Sequence, residues 1–425
     1  MHYLKDFKGF KEASIDLLKP FTLLIGPNGT GKSNLIEAIE LLSFIARGQP
    51  LYEIADVGRT ETGIQVRGGL QACGRKGSIM FALGFEANLR RRSRERVRYS
   101  IDIGISPQPQ ILHEILKVGD RVIFQTLAEF KGSTSGDLTV RYDNFAQAGR
   151  KPQTVASSQR SVLSQYREFA SKNRNFKDSV QLVQGVMTHL QSSFVFDPNP
   201  KLMRGYERIG NHTLSKDGAN LSAVLYDLSI GDESQQISLG RLLSRIRQLP
   251  DEPYEAFDFT TTDLGDVIFG LRDKTGYTTD ARSLSDGTLR TLAILTAMET
   301  VQKKSRVIVE EFDNGLHPSR TSLLTSAITE ATEQRNLRVL VTTHNPATMN
   351  DLTAEQLEGV VLCTWSKAKE AADLIRLVEL PRYEELAERG TLGDLVSRRI
   401  LEQHLAPGFE EQHRKKVAEW IEGLP

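Results

Sequence analysis

Eight consecutive residues, Gly26-Pro27-Asn28-Gly29-Thr30-Gly31-Lys32-Ser33, set glycines, a lysine and a hydroxyl in the order G-x-x-x-x-G-K-[ST]. Such an order suits a polyphosphate. Glycines at 26, 29 and 31 permit backbone angles that turn successive N–H groups toward phosphate oxygens. Lys32 would reach the β and γ phosphates, and the Ser33 hydroxyl would hold Mg²⁺. Asn34 follows directly and begins a helical pattern, whose N-terminal dipole favours the same anion.

Two carboxylates, Glu310 and Glu311, close the apolar run Val307-Ile308-Val309. Metal-assisted phosphoryl chemistry needs one acid near Mg²⁺ and one beside the attacking water, so Glu310 takes the metal role and Glu311 the general-base role. Upstream, Ser283-Leu284-Ser285-Asp286-Gly287-Thr288-Leu289-Arg290 opens a helix that Ser285 can cap, with Gly287 letting a phosphate approach its N–H groups. Downstream, Val339-Leu340-Val341-Thr342-Thr343-His344-Asn345-Pro346 ends an apolar run on a histidine that could sense the γ-phosphate. Taken singly, each also reads as a surface acid, a helix start or a structural histidine.

The elements that must carry these groups follow from periodicity. Phe21-Thr22-Leu23-Leu24-Ile25 is short and apolar, as a buried strand should be, and Leu35, Ile36, Ile39, Leu42 and Phe44 recur at helical spacing up to Ala46. The eight-residue motif therefore joins a strand to a helix. Strand-like runs between about 64 and 143 predict an antiparallel sheet. Residues 131–160, rich in Gly, Ser, Gln and Thr, read as a connector. Helical periodicity follows over 161–193 and 220–249. Short apolar strands at Arg306–Val309 and Arg338–Val341, with a helix at 319–334 between them, imply a parallel sheet. Neither a repeat of 20 to 50 residues nor sustained heptads occur, so long coiled-coil arms are not expected.

Bulk composition narrows the function classes. Of 425 residues, 39% are hydrophobic and 25% charged, an ordinary globular balance with room for one large core or two lobes. Lys plus Arg equals Asp plus Glu at 54 each, so a nucleic-acid contact would need a local patch. The densest is Arg90, Arg91, Arg92, Arg94 and Arg96, which reads as a solvated hairpin tip or a contact for a DNA backbone or protein partner. Cys73 and Cys363 lack C-x-x-C spacing, which excludes a zinc hook and fits a reducing, cytoplasmic setting. The N-terminus lacks a signal-peptide core, and no stretch approaches roughly eighteen consecutive apolar residues, so no membrane span is expected.

Order and spacing together add more. The chain resembles the RecF/SMC-like branch of ABC ATPases, the stand-alone group labelled AAA family ATPase, over nearly its full length. The resemblance is carried by Phe7-Lys8-Gly9-Phe10, Gly26 to Asn34, Leu284 to Thr288, Glu310 to Pro318 and Thr342 to Pro346, with Asp217 to Leu221 and Thr391 to Leu395 in support. It implies an α/β ABC-ATPase head: a P-loop mixed or parallel sheet core, an antiparallel β subdomain and an inserted helical lobe. The expected divisions are an N-terminal lobe at 1–150, a helical lobe at 151–290, the rest of the ATPase core at 291–365 and a helical tail at 366–425.

The resemblance also implies ATP and Mg²⁺ as cofactors and a homodimer or higher oligomer closed head to tail. Ser285 of one copy would meet the γ-phosphate held by the other, and Asp313 and Asn314 would lie in the loop crossing the interface. Gln165 would link Mg²⁺ to the helical lobe. Glu310 departs from the family's usual aspartate by one methylene, which puts metal geometry and turnover rate in question. Relatives of this build serve DNA repair or bacterial anti-phage defence, where the ATPase controls a separate effector. A non-enzymatic, nucleotide-gated scaffold is the alternative of another class, and a membrane-transporter ATPase fits the long insertion less well.

Overall fold

Phe21-Thr22-Leu23-Leu24-Ile25 is buried at all five positions, which requires cover on both faces and a strand at each edge. The computed structural model of the protein supplies both. It describes every residue except 18, 57–63, 89–94, 128–136, 146–149, 171–176, 250–253 and 407–425. Most of the arginine cluster and the end of the tail thus lie outside the described residues.

The strands in chain order begin with β1 (His2–Phe7), β2 (Phe10–Ile15), β3 (Phe21–Ile25) and a short parallel pair, β4 (Ala55–Asp56) and β5 (Gln65–Val66). Next come β6 (Met80–Ala87), β7 (Val97–Gly104), β8 (Gln110–Val118), β9 (Arg121–Thr126), β10 (Asp137–Tyr142) and β11 (Gln153–Ser157). These last six join β1 and β2 in an eight-stranded antiparallel sheet of order β11-β10-β9-β8-β7-β6-β1-β2. The stretch read as a connector over 131–160 therefore carries two strands.

β12 (Ser193–Phe196), β17 (Arg306–Val309), β18 (Arg338–Thr342), β3, β19 (Val360–Ser366) and β20 (Ala371–Arg376) form the central sheet in that order. All neighbours are parallel except β19 and β20. The expected helical tail thus begins with a strand, because residues 371–376 pair along the free edge of β19.

Helix α1 (Lys32–Ala46) follows the P-loop and packs with α3 (Lys177–Gln191) and, through it, α2 (Val162–Ala170). These helices share one core with the antiparallel sheet. The chain therefore changes cores at β12 rather than near residue 150. The second core gathers α4 (Leu221–Ile230), α5 (Glu233–Ile246), α6 (Asp286–Thr300) and α7 (Pro318–Arg335). It also holds β13 (Glu207–Arg208), β14 (Tyr254–Thr261), β15 (Asp266–Asp273) and β16 (Thr278–Asp280), so the expected helical lobe contains a four-stranded sheet.

Alternation along the parallel strands joins the two cores. Leu24, Ile308, Leu340 and Val361 face the first, whereas Leu23, Val309, Val341 and Leu362 face the second. The central sheet is a shared wall. Phe7, Phe10, Phe81 and Phe85 are fully buried beneath the antiparallel sheet, each contributing about 2 to 3 kcal/mol of hydrophobic stabilisation. No helix among the described residues is long and apolar enough to cross a membrane.

Candidate nucleotide-binding site

The loop between β3 and α1 holds Gly26, Gly29 and Gly31 at φ of 152°, 81° and 117°. Gly26 also has no room for a side chain, and Gly31 has little. A Cβ on Gly26 would stand 2.1 Å from the Cys363 carbonyl oxygen, and one on Gly31 would stand 3.2 Å from the Phe10 ring. The first intrahelical bond runs from Leu35 N–H to the Gly31 carbonyl at 3.0 Å. The N–H groups of Lys32, Ser33 and Asn34 therefore remain at the open helix end, a ready anion cradle.

Lys32 Nζ donates to the carbonyls of Gly26 (2.6 Å) and Pro27 (3.1 Å). Burial lowers its pKa, with Glu311 and Glu310 among the groups that pull it back up. Thr30 donates its hydroxyl to the Pro27 carbonyl at 2.8 Å, which ties the loop between Asn28 and Gly31.

Ser33 Oγ donates to Glu310 Oε2 at 3.0 Å, across 277 residues of sequence. Burial holds the Glu310 carboxyl above its ordinary range, the Ser33 bond opposes this, and Asp197 adds to it. Asp197 sits beside Glu310 by register: Phe196 pairs with Val309, and Glu310 N–H donates to the Phe196 carbonyl at 3.3 Å. The Asp197 carboxyl is itself raised by desolvation, with Arg290 and Lys216 pulling it down.

Glu311 adopts φ 45°, an uncommon conformation for a residue with a Cβ, and three neighbours hold it there. Its N–H donates to Thr342 Oγ1 at 2.8 Å and its Oε2 accepts from Asn314 Nδ2 at 3.2 Å. Its Oε1 lies 3.6 Å from His344 Nδ1. Behind it, Arg290 Nη1 donates to the Glu311 carbonyl at 3.3 Å.

Ser285 caps α6, accepting from Thr288 N–H at 3.0 Å, and it is exposed. Gly287 is buried, and a Cβ there would stand 3.3 Å from Leu316 and 3.4 Å from the Gly315 carbonyl. Arg204 braces the approach, donating to the carbonyls of Ala281, Arg282 and Leu284 and to Asp286.

Ser33, Glu310, Glu311 and His344 thus converge from β17, β18 and the P-loop, but Gln165 does not join them. Its amide is spent on its own turn, accepting from Ser157 N–H (3.0 Å) and donating to the carbonyls of Ser157 (3.1 Å) and Arg160 (2.8 Å). The strand end next to Glu310 offers Asp197 instead. Asp313 is turned inward too: its carboxylate accepts from Thr343 Oγ1 at 2.6 Å and from Thr348 Oγ1, leaving Asn314 exposed. Sequence reasoning also missed Arg67, whose guanidinium donates to Asn34 Oδ1 (3.2 Å) and Glu37 Oε1 (2.6 Å) at the first turn of α1. Of the arginine cluster, Arg96 is described and pairs with Glu86 at 3.1 Å.

A family model described as "AAA domain, putative AbiEii toxin, Type IV TA system" matches residues 21–350, which span the P-loop, Ser285, the acidic pair and His344. The chain belongs to this AAA domain family. A segment of the AAA protein is 58% identical over 36 residues to the chromosome partition protein Smc of Methanocaldococcus jannaschii, covering 8% of this chain and 3% of that one. Another match is 50% identical over 40 residues to the DNA replication and repair protein RecF of Gloeobacter violaceus (9% and 11% covered). A longer one is 33% identical over 103 residues to RecF of Acaryochloris marina (24% and 27%). The matched segments therefore span little more than a quarter of these relatives' lengths at most.

Among solved structures, an Smc head bound to the C-winged helix domain of ScpA aligns with a TM-score of 0.48 at 12% identity, covering 88% of this chain and 95% of that one. An Smc head domain with an extended coiled coil, bound to a C-terminal ScpA domain derived from Pyrococcus furiosus, gives 0.48 at 11% identity (91% and 98%).

Proposed function

We propose that this AAA domain protein hydrolyses ATP with Mg²⁺, that two copies pair head to tail around the nucleotides, and that the pairing controls a separate effector in anti-phage defence. The observation that carries the proposal is the convergence of Ser33 on Glu310 and of Glu311 on His344 at the open end of one phosphate loop. The residues fit the ion: the Ser33 hydroxyl and the Glu310 and Asp197 carboxylates would hold Mg²⁺, directly or through water. Bound Mg²⁺ supplies charge neutralisation of the phosphate oxygens.

The chain's own groups do the rest. Lys32 exchanges its two loop carbonyls for phosphate oxygens. Glu311, fixed by Thr342, Asn314 and His344, accepts a proton from the attacking water. Ser285 and Asn314 support pairing, because both are exposed while their anchors Gly287 and Asp313 are buried. The family description, with its toxin and TA-system terms, supports a defence-related setting.

A repair role like that of RecF is the second reading, favoured by the RecF segments. It requires DNA binding that charge reversal at Arg90, Arg91, Arg92 and Arg94 abolishes. Phosphate release by the purified protein decides between enzyme and scaffold. Glu311→Gln should lower kcat by about 10²- to 10⁴-fold while ATP binding persists and an ATP-bound dimer accumulates in size-exclusion chromatography with light scattering. A wild-type rate no faster than that of the variant would leave only the scaffold.

A further inference from the structure

The loop at 26–33 can seat the phosphates of a nucleotide, and the base needs a seat of its own. Trp365 is 50% exposed at the far end of β19, the parallel neighbour of the P-loop strand β3. Side chains alternate along a strand, so Cys363 and Trp365 share a face. It is the face turned to the phosphate loop, since Cys363 Sγ donates to the Thr30 carbonyl at 3.4 Å. Trp365 therefore stands about 7 Å farther along that face.

There it borders the hairpin between β1 and β2. A Cβ on Gly9 would lie 3.8 Å from the Trp365 ring and 3.5 Å from the Asn34 side-chain amide. Gly9 is held in place by Ala372 N–H, which donates to its carbonyl at 2.8 Å, and Ala372 pairs with Trp365 across β19 and β20. Asn34 closes the P-loop segment and carries the Arg67 guanidinium. A half-exposed indole and a residue without a side chain thus meet at one end of the cradle.

Sheet order gives the direction. β17 and β18, which lead into Glu310, Glu311 and His344, lie on one side of β3, whereas β19 and β20 lie on the other. A triphosphate whose reactive end faces Glu311 directs its nucleoside toward β19.

We propose that Trp365 is the platform on which the base of the bound nucleotide stacks, with Gly9 keeping the ring accessible. The proposal rests on residues 26–33 being a triphosphate site. Stacking on an indole is tolerant of base identity, so Trp365 supplies affinity rather than selection among bases.

Calorimetric titration of the full chain with Mg·ATP and, separately, with Mg·tripolyphosphate tests it, because tripolyphosphate has no base. Trp365→Ala should weaken ATP about 10-fold or more while leaving tripolyphosphate within about 2-fold, and Trp365→Phe should recover part of the ATP affinity. Lys32→Ala should weaken both ligands. If Trp365→Ala binds ATP as wild type does, or loses both ligands in equal measure, the platform is wrong and the phosphate site stands. If the wild type binds neither ligand, both fail together.

Discussion

Glu310 is one methylene longer than the aspartate usual in the RecF/SMC-like pattern, and the Ser33 hydroxyl takes up that length at 3.0 Å. Its carboxyl is held above the ordinary range chiefly by burial and further by the Asp197 charge. A proton therefore competes for this carboxylate at a higher pH than for an exposed one. Metal-dependent ATP binding should weaken as pH falls into that raised range. Asp197→Asn removes one of the raising charges and should move the acid limb to lower pH, read from the Mg·ATP dissociation constant against pH. An unmoved or rising midpoint would mean that Asp197 does not act on Glu310. Lys32, Ser33, Glu310 and Glu311 were legible in the sequence because each sits in a short contiguous motif. Asp197 was not, since only the pairing of Ser193 with Arg306 brings it there. Gln165 was expected to link the metal only from the resemblance, and the carbonyls of Ser157 and Arg160 claim its amide instead.

The start of α2 shows how an element can depend on a distant residue. Val162 and Leu163 N–H groups donate to the buried Glu114 carboxylate at 2.6 and 2.8 Å, and Tyr99 adds its hydroxyl at 3.0 Å. Burial nevertheless pushes Glu114 up to about 7 from 4.5. Because the folded value lies above the unfolded one, its contribution is full below pH 4.5 and is lost as pH rises through 7. Glu114→Gln lacks this loss, so wild-type stability should fall by about 3 kcal/mol relative to the variant between pH 4.5 and 7.5, seen in Tm measured across that range. Parallel difference curves would assign the helix end to other groups. Of the parallel strands, β3, β17 and β18 could be read from the sequence as short apolar runs, whereas β12 and β19 were not. β10 and β11 escaped notice because sheet-edge sequences such as Gln153-Thr154-Val155-Ala156-Ser157 are mostly polar or exposed, and β20 because Ala371-Ala372-Asp373 carries neither alternation nor β-branching.

At the scale of the whole molecule, two cores attach to opposite faces of one sheet, and the groups proposed for the two sides of a composite pocket, Lys32 and Ser285, lie far apart in sequence. If the pocket is shared between copies, Lys32→Ala and Ser285→Arg should each be inactive alone. Mixed and allowed to exchange, they should recover about a quarter of the wild-type sites, because half the dimers are mixed and each of those rebuilds one intact pocket. No recovery of phosphate release on mixing would place Lys32 and Ser285 in separate functions. Pairing of this kind lay outside what sequence periodicity could reveal, because it concerns surfaces rather than elements. Gly287, pressed against Gly315 and Leu316 at the foot of the segment that begins with Glu311, has a mechanical consequence. If copies pair as proposed, a pull on the exposed serine cap would pass through the Gly287 contact to the segment that begins with Glu311 in the same subunit.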